Sequence, residues 1–283
     1  IDTETDQTGR RLLDVGGIRS DGNTFHACVL SDFVEFLRGS EYVCGHNILD
    51  HDLKYLDAQI LEAGVKPGNV IDTLYLSPLL FPKKPYHSLL KNDKLQTDEL
   101  NNPLNDSIKA RDLFNDELSA FMKLDEDMKK IYFRLLGGSV EFRAFFDYIA
   151  GAWHDTGQEK GFLSRIRQAL SSRSGLADLI FKKFEGRICA HADLEQMIQA
   201  TPVALGYALA LIGTMENDTA GRSITPPWVL KNYSEVESIV FRLRLSRCIE
   251  GCSYCNRAFD IHTGLKRWFG FDSFRTYNGE PLQ

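Results

Sequence analysis

Val43-Cys44-Gly45-His46-Asn47-Ile48-Leu49-Asp50-His51-Asp52-Leu53-Lys54-Tyr55-Leu56 passes from an apolar run, through a Gly-His-Asn turn, into a helical pattern. Tyr42-Val43-Cys44 reads as a buried strand, and Asp52–Ala63 as an amphipathic helix ending at Gly64. Strand, turn and helix in that order are the working unit of an α/β protein, and the flanking sequence repeats the alternation. Upstream, Ile1–Thr5 reads as the end of a strand. Arg11–Arg19 and Thr24–Leu30 are apolar-rich segments joined by the turn residues Ser20-Asp21-Gly22-Asn23. Ser31 is placed to N-cap a short helix through Leu37. Downstream, Val70-Ile71 starts another strand, His87–Leu95 reads as a helix, and Leu104–Met122 as a long closing helix.

From about Leu124 the pattern turns mostly helical, with helices expected over Phe133–Ala152, Phe162–Phe184 and Leu194–Met215. The boundary is therefore set at 125: an α/β domain over 1–125 and a helical domain over 126–283. Hydrophobic content of 43% with 25% charged residues is that of a globular protein. The longest apolar run, Val203 to Ile212, is about half what a bilayer span needs and reads as a buried core helix. Residues 1–150 hold 17 basic against 25 acidic side chains, and residues 151–283 hold 16 against 14. An acidic half beside a mildly basic one suits a metal-binding module coupled to one that touches phosphates, although drift in surface composition explains it equally well.

Asp2 and Glu4 stand two apart on a strand and so share a face. Two carboxylates packed together raise each other's pKa, a cost that Mg²⁺ or Mn²⁺ removes. With the segment quoted above, these residues resemble the DEDD (DnaQ-like) 3′→5′ exonuclease superfamily, which has an RNase H-like fold. Gly45-His46-Asn47 followed by Asp52 resembles its second motif, with Asp50 the competing aspartate. Asp72-Thr73-Leu74 and Tyr86-His87-Ser88-Leu89 match landmarks between the second and third motifs. Asn102-Pro103-Leu104-Asn105-Asp106-Ser107 resembles the third. The resemblance covers roughly residues 1–120. It implies phosphodiester hydrolysis by two divalent metals about 3.5–4 Å apart. Asp2 would bridge both ions, with Glu4 and Asp106 on one and Asp52 near the other. The implied substrate is nucleic acid with a 3′ end, DNA by preference, with His46 and Asn47 as candidate contacts.

The family's general base is a His five residues before the last Asp, or a Tyr four before it; here those positions are Asn101 and Asn102. Neither amide accepts a proton from water near neutral pH, and general-base help is worth about 10²–10⁴-fold. Metal-bound hydroxide alone, or a base from elsewhere (His51 or His87), would keep the domain active. The alternative is a degenerate nuclease fold that binds 3′ ends.

Cys248-x3-Cys252-x2-Cys255 is a metal signal, because three thiols so close are rarely mere core residues. Radical-SAM enzymes share the spacing but carry it early in a barrel. Zn²⁺ with a fourth ligand is the first expectation, His262 leading and Cys189 or His191 behind it; an iron–sulfur cluster is the alternative. Free thiols point to a reducing, cytoplasmic compartment, and no secretory leader is visible. Arg257, Lys266 and Arg267, near the cysteines, are candidate phosphate contacts.

Trp268-Phe269-Gly270-Phe271-Asp272-Ser273-Phe274-Arg275 resembles the segment ahead of the motor in RecQ-like helicases, where a Gln, here Gln283, reads adenine. No G-x-x-x-x-G-K-[ST] occurs in the chain. The resemblance implies a helicase motor covalently linked to these residues.

Overall fold

Strand β1 (Asp2–Thr5) pairs antiparallel with β2 (Leu12–Ile18), and β2 with β3 (Thr24–Ala27). The expected β2–β3 turn is present: the Arg19 carbonyl accepts from Gly22 N, Asp21 Oδ1 accepts from Asn23 N, and Gly22 takes φ +91°. A parallel pair, β4 (Val43–Gly45) and β5 (Val70–Asp72), is joined through helix α2 (Leu53–Glu62). The ladders meet where Ile1 N donates to the Cys44 carbonyl at 2.7 Å, which sets β4 beside β1. In the first unit the three-stranded ladder β3-β2-β1 and the two-stranded ladder β4-β5 thus lie side by side as separate ladders.

Neighbouring glycines on β2 set the approach of the helices. Successive strand residues face opposite ways. A Cβ on Gly16 would lie 2.1 Å from the Pro103 carbonyl carbon, at the start of α4 (Pro103–Met122). A Cβ on Gly17 would meet the Phe36 ring of α1 (Leu30–Leu37) at 2.7 Å. The two helices thus cover opposite faces of the sheet. The α1–α2 face buries Val15, Phe33, Val34, Leu37, Leu56 and Ile60 together. Helix α1 begins two residues earlier than expected: Val29 occupies the cap position without a side-chain bond, and Ser31 lies inside the first turn, bonded to Asp32.

This computed structural model describes residues 1–89, 102–155, 175–215, 224–260, 276–277 and 280–281. They form a mixed α/β protein with a small sheet and many helices, in two compact units dividing between Arg173 and Ser174. The change of pattern near residue 125 is therefore not the division. Helices α5 (Glu126–Leu136) and α6 (Arg143–Asp155) belong to the first unit. Phe121 of α4 packs edge-on to Phe145 and Phe146 at 5.5 and 5.8 Å, and Phe114 packs on Tyr148 at 5.4 Å. A further helix, α3 (Thr73–Leu80), starts directly from β5. Of the helix expected over His87–Leu95, residues 87–89 are not helical and the others lie outside the described residues. The single helix expected over Phe133–Ala152 breaks at Gly137-Gly138-Ser139, where Ser139 N and Oγ both donate to the Leu136 carbonyl.

The second unit contains α7 (Leu176–Lys183), α8 (Leu194–Ala200), α9 (Pro202–Thr214), α10 (Pro227–Asn232) and α11 (Glu235–Val240). A π-helical turn (Phe241–Leu245), α12 (Ser253–Ala258) and a two-residue-arm hairpin, β6 (Thr276–Tyr277) with β7 (Glu280–Pro281), follow. Helix α9 is buried without interruption from Ala204 to Ile212, as the apolar run predicts. The helix expected over Leu194–Met215 is two helices, because Pro202 has no N–H to continue α8 and instead opens α9. No described helix is long and apolar enough to cross a membrane.

Candidate metal-binding sites

Asp2 lies opposite Gly16 and Glu4 opposite Asp14 on the β1–β2 ladder, so all four residues face α4. The missing Cβ at Gly16 lets the first turn of α4 sit on the strands, which brings Asp106 to Asp2 and Glu4. One carboxylate oxygen from each of the three lies within 4.8 Å of the others. Asn102 caps α4, its Oδ1 accepting from Leu104 N and Asn105 N at 3.0 and 3.2 Å, and so fixes the turn that carries Asp106. Burial, with repulsion from Asp52, Asp106 and Glu4, pushes the Asp2 carboxyl up to about 8. Lys109, one turn along α4, places its ammonium 3.3 Å from Asp106 Oδ1. Asp14 shares the face, but His26 Nε2 takes its carboxylate at 2.7 Å.

Asp52 lies apart from this trio. Thr3, between Asp2 and Glu4, points to the other face and donates to Asp52 Oδ1 at 2.6 Å. Asp52 heads α2 and is fully buried, and its Oδ2 has no hydrogen-bond partner among the described residues. It is still near enough to raise the Asp2 pKa. Burial raises the Asp52 carboxyl as well, against the Thr3 bond and the nearby His51. The competing Asp50 is exposed, and its Oδ2 accepts from the Tyr75 phenol at 2.9 Å.

The Gly-His-Asn turn is held by Asp72, whose Oδ1 accepts from Asn47 N and Leu74 N and whose Oδ2 accepts from Leu49 N. Asn47 sits in the left-handed region at φ +64°, which a short amide side chain tolerates. Burial raises Asp72 to about 6 against these three bonds. Thr73 Oγ1 donates to the Gly45 carbonyl at 3.3 Å and shares a 2.9 Å bond with His46 Nδ1. His46 and Asn47, candidate nucleic-acid contacts, thus both brace the turn. Burial lowers the His46 imidazole to about 4, so it is neutral at pH 7.

At the base position, Asn101 lies outside the described residues, and the Asn102 oxygen is occupied by its two cap bonds. His87 is buried and bonded to Ser77 Oγ at 2.8 Å. His51 lies beside Asp52, its ring edge-on to Tyr55.

In the second unit, Cys189, Cys248, Cys252 and Cys255 bring four sulfurs within 4.8 Å of one another. Such a group can hold a metal ion. Cys252 N donates to Cys248 Sγ at 3.3 Å and Cys255 N to Cys252 Sγ at 3.5 Å, the second bond capping α12. Cys189 is delivered from the α7–α8 connection, where its N–H donates to the Leu243 carbonyl at 2.8 Å. Burial pushes the Cys189 and Cys255 thiols up, while the Cys252 amide and His191 draw Cys248 down to about 6. His191 itself forms a second, more exposed group with Cys248 and Glu250, its Nδ1 3.6 Å from the Glu250 carboxylate. His262, the leading fourth ligand from sequence, lies outside the described residues, as do Lys266, Arg267, the aromatic run 268–275 and Gln283. Arg257, a candidate phosphate contact, donates to the Gly186 carbonyl at 2.9 Å.

Sequence reasoning passed over Thr3, Gly16 and Lys109. Thr3 and Gly16 carried a signal: a hydroxyl residue between the two acidic ones, and paired glycines inside a strand pattern, which mark close backbone approach.

No protein-family model matches the chain, and no curated protein or solved structure matches it.

Proposed function

We propose that the first unit is a metal-dependent 3′→5′ exonuclease of the DEDD type with an RNase H-like fold, hydrolysing nucleic acid, DNA by preference. The convergence of Asp2, Glu4 and Asp106 within 4.8 Å carries this reading. The antiparallel ladder β3-β2-β1 with the parallel pair β4-β5 beside it, and the delivery of Asp106 by a helix laid across β1 and β2, support it. The donor set is all oxygen, which suits Mg²⁺ or Mn²⁺, and the buried Asp52, whose Oδ2 has no partner among the described residues and whose charge reaches Asp2, fits a further cation.

Asp2, Glu4 and Asp106 would hold one ion, and Asp52 would help to hold a second. Bound there, the ions supply an activated water and stabilisation of the leaving 3′ oxygen. The protein's own part is positioning. Thr3 orients Asp52, Asn102 fixes the turn bearing Asp106, and Asp72 holds the loop from which α2 departs. Lys109 partly neutralises Asp106 and is free to turn toward a phosphate once a metal takes the carboxylate. In this reading the second unit connects the nuclease to a covalently linked helicase motor.

The second reading is a degenerate fold that binds 3′ ends, favoured by Asn102, whose oxygen caps α4 and leaves no base there. End-labelled single- and double-stranded DNA incubated with Mg²⁺ or Mn²⁺ separates the two, with Asp2→Ala and Asp106→Ala as controls. Metal-dependent loss of 3′ nucleotides that both substitutions abolish is expected. Binding without such loss would select the second reading.

A further inference from the structure

The four cysteines of the second unit distinguish between a single ion and a cluster. Four thiolates around one tetrahedral Zn²⁺, at the usual Zn–S distance of ~2.3 Å, stand about 3.8 Å from one another. Thiolates on different irons of an iron–sulfur cluster stand farther apart, beyond about 5 Å, and around a four-iron cube all four are spread at roughly 6 Å. Here every sulfur lies within 4.8 Å of the other three, close to the single-ion geometry and too tight to enclose a cluster.

We propose that Cys189, Cys248, Cys252 and Cys255 bind one Zn²⁺ as a closed four-thiolate site whose role is to clamp two distant segments of the second unit together. None of these residues lies in the nuclease unit, so the inference is independent of the function proposed above. The fourth ligand is Cys189 and not His262. Its backbone is already tied to the π-helical turn through Leu243, and the same two segments are stitched on either side. Arg244 donates to the Arg187 carbonyl at 2.8 Å, and Arg257 to that of Gly186 at 2.9 Å. The amide bonds to Cys248 and Cys252 sulfurs favour the thiolate forms a metal requires. Each thiol that binds releases its proton to solvent.

The buried centre at the site is small: Cys189, Tyr254 and Cys255, with Ala192, Cys248, Cys252, Ala258 and Phe259 packed against it, so the cysteines themselves are a large part of what joins the segments there. Four protein ligands also leave no position for water or substrate, which makes the site structural and not catalytic.

X-ray absorption at the zinc edge of the whole chain tests this directly, with elemental analysis of the same sample. About one zinc per chain with four sulfurs at roughly 2.3 Å is expected, with no iron and no visible colour. Cys189→Ser should weaken zinc binding on the order of 100-fold in chelator competition, and His262→Ala should leave it unchanged. Three sulfurs with one nitrogen, iron with visible absorption, or a metal-free protein would each overturn the proposal. The sulfur count on the unsubstituted chain decides the matter even where Cys189→Ser fails to fold.

Discussion

The hydroxyl of Thr3 donates to Asp52 Oδ1 at 2.6 Å from the strand position between Asp2 and Glu4, so one short strand serves two faces. Asp2 and Glu4 face α4, while Thr3 points to the opposite face and orients the buried carboxylate that heads α2. Thr3→Val keeps the shape and removes the hydroxyl donor, leaving Asp52 only the backbone hydrogen bond from the same residue. A loss of about 1–3 kcal/mol in urea denaturation is expected, together with weaker Mn²⁺ binding by calorimetry. Unchanged values in both would show that the bond is incidental.

Gly16→Ala should do more harm than Gly17→Ala. At Gly16 the new methyl would meet Pro103 and Leu104 backbone at 2.1 and 2.2 Å, and the start of α4 must retreat, taking Asp106 with it. At Gly17 it meets the half-buried Phe36 ring at 2.7 Å, a side chain and not backbone, so a shift there leaves α4 in place. A displacement of about 1 Å at a reacting centre can cost on the order of 100-fold, so nuclease activity should fall at least that far for Gly16→Ala. Comparable activity in the two variants would argue against α4 as the element that assembles the site.

Lys109→Gln should raise the affinity for Mn²⁺ a few-fold at low salt, because the ammonium competes for Asp106. Its effect on stability should stay within about 0.5 kcal/mol, as for other one-turn ion pairs. Weaker metal binding in this variant would mean that Lys109 supports the site in some other way.

Glu117 introduces a pH dependence. It is fully buried on α4, and neither carboxylate oxygen has a hydrogen-bond partner among the described residues. Burial, then repulsion from Asp72, raises its pKa well above the ordinary carboxylate value. In the unfolded chain it ionises near pH ~4.3, while the folded chain keeps the proton. Stability therefore falls as pH rises above that unfolded value, until the folded form also ionises. Glu117→Gln removes this slope, so thermal melts should show a clear gain at pH 8 and little difference at pH 4. An equal gain at both pH values would assign the effect to packing.

What could be read from sequence was local. The Asp52 helix start and the Pro103 start of α4 depend on neighbours a few residues away and are legible for that reason, whereas the Gly-His-Asn turn is legible as a turn but is held by Asp72 from the next strand. Pro202 and the Gly137-Gly138 pair were equally local; the apolar runs around them simply outweighed them. Gly16 is different, because the helix that needs its bare backbone begins at Pro103. Cys189 reaches the other cysteines only through the fold, by way of its bond to Leu243, so no spacing rule connects it to Cys248. The division between units failed for a related reason. Helical sequence resumes after residue 124, but Phe121 and Phe114 commit those helices to the unit that precedes them.

That aromatic seam has a practical meaning for anyone trimming the protein. Helix α4 carries Asp106 at one end and Phe114 and Phe121 farther along, so its two ends answer to different neighbours. Cutting the chain at residue 125 would keep every acidic residue of the site yet strip the seating from beneath the helix that aims one of them, exposing rings that invite aggregation. The smallest autonomous form of the first unit should therefore extend past α6, to about residue 173.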